Sequence, residues 1–214
     1  MKNNNISSPK IPSSLNKIEL YQYYIEDNDS FEGIEVKDVA LEDYCVEGLS
    51  FRETIFKNVE FKETILKGID LIDVKFIDCD LSNINLSNAI IHRTEFINCK
   101  LMGIKLSDAT LNNVLFNNCI GSYANFRFSK HKQVVFKECN FTNIDLQSAE
   151  LNRTSFVHTN LQQAELSGTK LKGIDFTSCD IDGIGVRIED LRGVIVNPLQ
   201  ASELAKLMGI VIKL

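Results

Sequence analysis

One spacing governs this chain: a large apolar residue returns every five positions. Stepping from Phe31 gives Val36, Leu41, Val46, Phe51, Phe56, Phe61, Leu66, Leu71 and Phe76, and the series runs on to Val196 with only Gly121 and His131 breaking it. The residue two places earlier is small or β-branched in most units, as at Thr54, Val59, Thr64, Cys79 and Ala89. Two positions in every five are therefore internal, and the other three are mostly Asn, Asp, Glu, Lys, Ser, Gln and Gly, the residues of turns and solvated surface. A period of five fits neither an α-helix at 3.6 nor a flat strand at 2. It fits a short extended piece followed by a corner.

A chain that turns once per unit must wind into a coil, and the size of the coil should appear as a longer period. That period is twenty. Phe stands at 56, 76, 96, 116, 136, 156 and 176, and Cys at 79, 99, 119, 139 and 179, with Thr159 in the gap. Four pentapeptides thus make four sides of one coil. The expected fold is an all-β solenoid, square in section, whose like side chains stack in internal ladders. With about 4.8 Å between coils, residues 31–196 would form a rod on the order of 40 Å long. Stacking also accounts for the absence of Trp, whose indole N–H would lie unpaired inside a narrow tube.

The ends depart from the repeat. Residues 1–30 do not hold the register, and PSSLNKIELYQYY is expected to form a short amphipathic helix or cap over the first coil, because a bare solenoid end exposes unpaired edges. At the other end, Asn197 and Pro198 read as an N-cap and first helical residue, Leu199 to Met208 as a helix, and Gly209 as its stop. An apolar strand, IVIKL, follows. Residues 197–214 are therefore read as a dimerisation module in which Leu199, Leu204, Leu207, Met208, Ile210, Val211 and Ile212 meet a second copy. The competing reading is a tail folded back on its own coil.

The remaining chemistry is sparse. The five Cys in one column are read as core packing: their Cβ vectors run parallel, an unsuitable approach for disulfides, and Cys is a small hydrophobe. His92, His131 and His158 lack metal-ligand spacing. No nucleophile elbow, zincin motif, P-loop or dinucleotide fingerprint occurs, and a tube filled with Phe, Leu and Ile leaves no room for substrate. Neither enzymatic activity nor a cofactor is expected. There is no run of about 18 apolar residues for a membrane span, and MKNNNISSPK lacks the apolar core of a secretory signal. A cytoplasmic protein without a membrane partner is expected, and a net charge of −6 disfavours direct nucleic-acid binding.

The strings FKETILKGIDL, NINLSNAII and AELSGTKLKGIDF resemble the pentapeptide repeat family, whose unit is A-(D/N)-L-X-X. That resemblance covers residues 31–196 and implies a right-handed quadrilateral β-helix. A narrower likeness lies in DLRGVIVNPLQASELAKLMGIVI, through Leu191, Gly193, Gln200, Ala201, Leu204, Gly209 and Ile210, and in SYANFRFS at 122–129. Both resemble the Qnr-type and MfpA-type fluoroquinolone-resistance proteins. This implies a dimeric rod, similar to B-DNA in size and charge, that binds DNA gyrase and topoisomerase IV and protects them from quinolones. Gram-negative Qnr proteins carry two projecting loops; here the register has no insertion, so the chain is similar to the loopless, Gram-positive members. For these, topoisomerase binding is implied more strongly than protection.

Charge is unevenly distributed along the rod. Asp and Glu outnumber Lys and Arg thirteen to six over 31–80 and nine to five over 138–196, whereas 81–137 holds two acidic against seven basic residues. If pairing is C-terminal, Asp175, Asp180, Asp182, Glu189 and Asp190 would lie near the dimer centre and face the topoisomerase, although a charged cluster is also simply a solvated face. Ile55, Ile77, Ile97, Leu115, Val135 and Val157 flank the Phe column on the outside, and form either a partner face for an unrelated scaffold role or β-branched positions chosen for strand propensity. Gly121, Tyr123, Phe128 and His131 mark an irregular coil, read as a local kink, a small partner-binding feature or a packing defect.

Overall fold

The computed structural model describes residues 6–213. Its body is a parallel β-solenoid with a twenty-residue coil. Strands at Asp70–Ile77, Ile90–Ile97, Thr110–Asn117, Lys130–Lys137 and Glu150–Val157 stack in one parallel sheet, each residue beside the one twenty positions on. Phe56 pairs with Phe76, and the ladder continues through Phe96, Phe116, Phe136 and Phe156. The rings lie face to face, with centroids 4.8 to 5.0 Å apart. The stack loosens at the last step, where Phe156 and Phe176 are 5.7 Å apart and tilted by 38°.

The four sides are not alike. Each long strand covers two sides and bends at one corner. The other two sides are joined by single bridges, such as Asp80↔Lys100 and Asn85↔Lys105. There one N–H per pentapeptide closes a turn, as in Ala89 N–H to Leu86 O at 3.2 Å, while its neighbours still bond the adjacent coil, as in Leu86 N–H to Lys105 O at 2.8 Å.

Corners are made by positive φ. Twenty-four non-glycine residues among those described adopt it, spaced five apart over most of the coil, and more than half are Asn or Asp. Those short polar side chains tolerate the left-handed region best among L-residues. In one corner column they also bond to each other: Asn58 Nδ2 donates to Asp38 Oδ1 at 2.8 Å, and Asn118 Nδ2 to Asn98 Oδ1 at 2.9 Å.

Of the two forms expected for the N-terminal segment, its described residues take the cap and not the α-helix: a 3-10 turn, Leu20–Gln22, places Leu20 and then Ile25 as apolar plugs on the first coil. Before that, Asn16–Lys17 pairs with Ile34–Glu35. Residues 7–10 run along the outside of the rod, across the coils. Lys10 N–H donates to Asp73 Oδ1 at 2.8 Å, and Ser7 N–H to Asn113 Oδ1 at 2.9 Å. Three residues of strap thus span two coils, which requires an extended chain. The first five residues of the expected cap lie outside those described.

The C-terminal helix, Pro198–Lys206, forms as the Asn-Pro signal requires. Asn197 and Gln200 make a reciprocal capping box, at 3.0 and 2.9 Å. Ile210–Lys213, expected as a strand, are not one in the single chain. An extended segment becomes a strand only through ladder bonds to a neighbour, and none joins it to the other described residues.

Candidate functional site

The two ends, the Cys column, the charged sides and the coil at 121–131 are the regions that could carry function. At the C-terminal end, Gln200 is the plug. Its side-chain amide donates to Phe176 O and Cys179 O, both at 2.8 Å, satisfying carbonyls that the next coil would otherwise have bonded. Leu204 packs half-buried against the core. The other expected pairing residues face outward: Leu199 is 80% exposed and Val211 82%, and Leu207, Met208, Ile210 and Ile212 are also exposed. An apolar surface therefore lies uncovered beyond the last coil.

The five carboxylates near that end do not share a side. Asp175, Asp180 with Asp182, and Glu189 with Asp190 fall on three different sides of the last coil. Several also build the backbone. Asp175 accepts from Thr177 Oγ1 at 2.7 Å and Thr177 N–H at 2.9 Å, which holds its carboxyl below the usual value. Asp190 accepts from Gly168 N–H at 2.7 Å.

The Cys column lies inside the tube, and its thiols are donors as well as fillers. Cys79 Sγ bonds Phe56 O at 3.4 Å, Cys99 Sγ bonds Phe76 O at 3.5 Å, and Thr159 Oγ1 does the same for Phe136 O at 3.1 Å. This shared carbonyl explains why Thr replaces Cys in the column, a reason that size alone does not supply. Burial raises the Cys179 thiol above its ordinary pKa, and all six cysteines are free.

The coil at 121–131 is not kinked. Bridges Ile120↔Asn140 and Asn125↔Asp145 and the strand pairing of Lys130 with Glu150 carry the register straight through it. Its irregularity is internal compensation: a Cβ on Gly121 would collide with the Phe141 ring, so the missing side chain makes room for the larger one. His131 is buried, with Nε2 2.9 Å from Ser129 Oγ and Nδ1 without a partner. Tyr123 and Phe128 occupy corners and point to solvent.

Two models of the repeat match this sequence, the pentapeptide repeat region over 69–140 and the eight-copy pentapeptide repeats over 135–178, together just over half of the chain. The chain belongs to the pentapeptide repeat family. No curated protein matches it. Among solved structures, a trypsin-treated QnrB1, a plasmid-mediated fluoroquinolone resistance protein, is 22% identical over 94% of this chain and 99% of its own, with a TM-score of 0.40. HetL of the cyanobacterium Nostoc sp. strain PCC 7120, involved in heterocyst differentiation regulation, is 15% identical over 80% and 87%, with a TM-score of 0.34.

Within this pentapeptide repeat protein the six apolar residues expected to form one outward stripe do share a side, but interrupted. Leu115 stacks on Val135 in one column and Ile77 on Ile97 in the next, while Ile55 adjoins Lys75, and Val157 adjoins Lys137. A Lys75–Glu95 ion pair at 3.0 Å lies among them. All six are half-buried.

A further cluster escaped the sequence reading. Beneath the strap, Arg93 Nε donates to Asp73 Oδ1 at 2.6 Å, with His92 against the guanidinium. Burial works against the charge on Asp73, but Arg93 and the Lys10 N–H outweigh it and hold the carboxyl below its usual value. The only signal was a twenty-residue spacing between opposite charges at corner positions. No helix among the described residues is long and apolar enough to cross a membrane.

Proposed function

We propose that this chain is a non-catalytic rod, paired through residues 198–213, that binds DNA gyrase or topoisomerase IV and lowers its sensitivity to fluoroquinolones by competing for the DNA-binding saddle. The observation that carries the reading is the built C-terminal end. The tail residues that resemble the Qnr and MfpA type divide between two tasks: Gln200, Leu191 and Leu204 close the tube from inside, while Ile210 and its exposed neighbours remain available to a second copy. Pairing there would double the rod and bring the carboxylates of both last coils toward its centre, where a basic saddle would meet them. The protein needs no direct contact with nucleic acid, cofactor or metal for this role.

Supercoiling by purified gyrase, with and without ciprofloxacin, tests the reading. At about micromolar protein, either inhibition of supercoiling or rescue from the drug is expected, with inhibition the stronger because the coil carries no projecting loops. Absence of binding, inhibition and rescue would refute it.

A further inference from the structure

Corner residues adopt positive φ; Asn, Asp and Gly hold most of those described, and polar side chains such as Glu53, Arg93 and Gln163 hold most of the rest. Coil 121–131 departs twice. Tyr123 has φ 62° and Phe128 φ 58°, and they are 70% and 49% exposed. A bulky aromatic is disfavoured in the left-handed region, and neither ring recovers that cost by burial. The backbone does not demand them, since the same corner in adjoining coils is Asn83, Gly103 and Asn143 beside Tyr123, and Asn88, Asp108 and Ser148 beside Phe128, all with positive φ. Strain held without a packing return marks a surface kept for another purpose.

The surroundings say what kind. Arg127 lies between the two corners with its guanidinium 5.7 Å from the Phe128 ring centroid. Lys105 bridges to Asn125 on the same side, and Lys130 follows Phe128 around the corner, both exposed. Opposing them are Asp145, 3.5 Å from Arg127, and Asp108, which holds the Phe128 corner in the preceding coil. Exposed Ile120 and Met102 adjoin Tyr123 on the preceding side. Aromatic and Arg side chains with an apolar platform are the composition of protein interface centres.

We propose that the side of the rod between Tyr123 and Phe128 docks an acidic segment of a protein partner. An apolar side chain of that segment rests on Tyr123, Met102 and Ile120, and its carboxylates lie against Arg127, Lys105 and Lys130. Protein is favoured over a nucleic-acid strand because Asp108 and Asp145 interrupt the cationic surface, where a phosphate backbone calls for a continuous one. This side of the rod lies several coils away from the C-terminal end that carries the topoisomerase reading.

Fluorescence anisotropy of the full chain with a labelled glutamate–tyrosine copolymer tests this, with polyglutamate and an oligothymidylate as comparisons. Binding of the copolymer more tightly than of either comparison is expected. The double variant Tyr123→Asn, Phe128→Asn should weaken it by about tenfold or more, and Arg127→Ala should weaken it and flatten its salt dependence. The double variant should melt no lower than the parent, because Asn suits both corners, which separates lost binding from lost folding. Unchanged binding by the double variant, no binding of the copolymer, or tighter binding of the oligothymidylate would each overturn the proposal.

Discussion

His131 sets a buried titratable ring among the apolar columns of this tube. Ser129 Oγ gives its one proton to Phe126 O at 2.7 Å, so the histidine must donate through Nε2 and leave Nδ1 as a bare lone pair. Protonation would put an N–H there with no acceptor. Burial therefore holds the pKa down at about 3, against an ordinary 6.5. With the folded value depressed, the neutral ring's contribution is complete above about pH 6.5 and is lost as pH falls toward the folded value. Between pH 7 and pH 4.5 this site should cost about 2–3 kcal/mol. His131→Leu should raise stability at pH 7 by about 1–3 kcal/mol, because it removes an unsatisfied buried group. Denaturant titrations at the two pH values should show a smaller acid loss in the variant than in the parent; parallel losses would contradict the assignment. The sequence marked His131 as an anomaly in an inward phase, but its tautomer follows only from where Ser129 points.

At the scale of elements, the strap and the terminal helix show opposite degrees of legibility. The helix carried its own signals in Asn197, Pro198 and Gly209, which are local and act at its two ends. The strap carried none, since ISSPKIPSSL has no period and its partners, Asp73 and Asn113, are far away in sequence. Its hold is a few side-chain acceptors and the half-buried Ile6, Pro9 and Ile11. Removal of residues 1–12 should leave the coil folded but lower stability by about 1–3 kcal/mol through loss of hydrogen bonds to charged and polar groups. For a chain of this length, that is a melting-temperature drop of roughly 2–4 °C per kcal/mol. Hydrogen exchange should show Asp70–Ile77 and Ile90–Ile97 retaining their ladder protection in the truncated form, and collapse of that protection would mean that the strap is integral to the fold.

For the whole molecule, the uncovered apolar end is the feature a monomer would be least expected to keep. Val211→Asp combined with Leu207→Asp should convert a dimer to a monomer in light scattering while leaving the melting of the coil within about 1 kcal/mol, since exposed positions contribute little to folding of the single chain. A parent that scatters as a monomer would remove pairing from the proposed function. Charge also takes on its meaning at this scale. The basic middle read along the sequence does not form one basic face. Lys100, Lys105, Lys130 and Lys137 stand on four different sides of the coil, and the strip around Arg127 sets cations beside exposed aromatic rings. The expected acidic cluster likewise spreads around the last coil, because residues five apart occupy adjacent sides.

The sequence by itself determined the coil: its length, its inward columns, its corners and its closing helix. It could do so because in a solenoid every coil repeats the environment of the last, so a side chain's fate depends on its phase and its neighbours at twenty residues. Only the tertiary structure decided the path of the strap, the Asp73–Arg93 pair beneath it, the accommodation of Phe141 by Gly121, and the absence of a partner for Ile210–Lys213. These depend on segments that do not repeat, or on which atoms of a side chain face which neighbour. No periodicity encodes such contacts; they are selected when the folded surfaces meet.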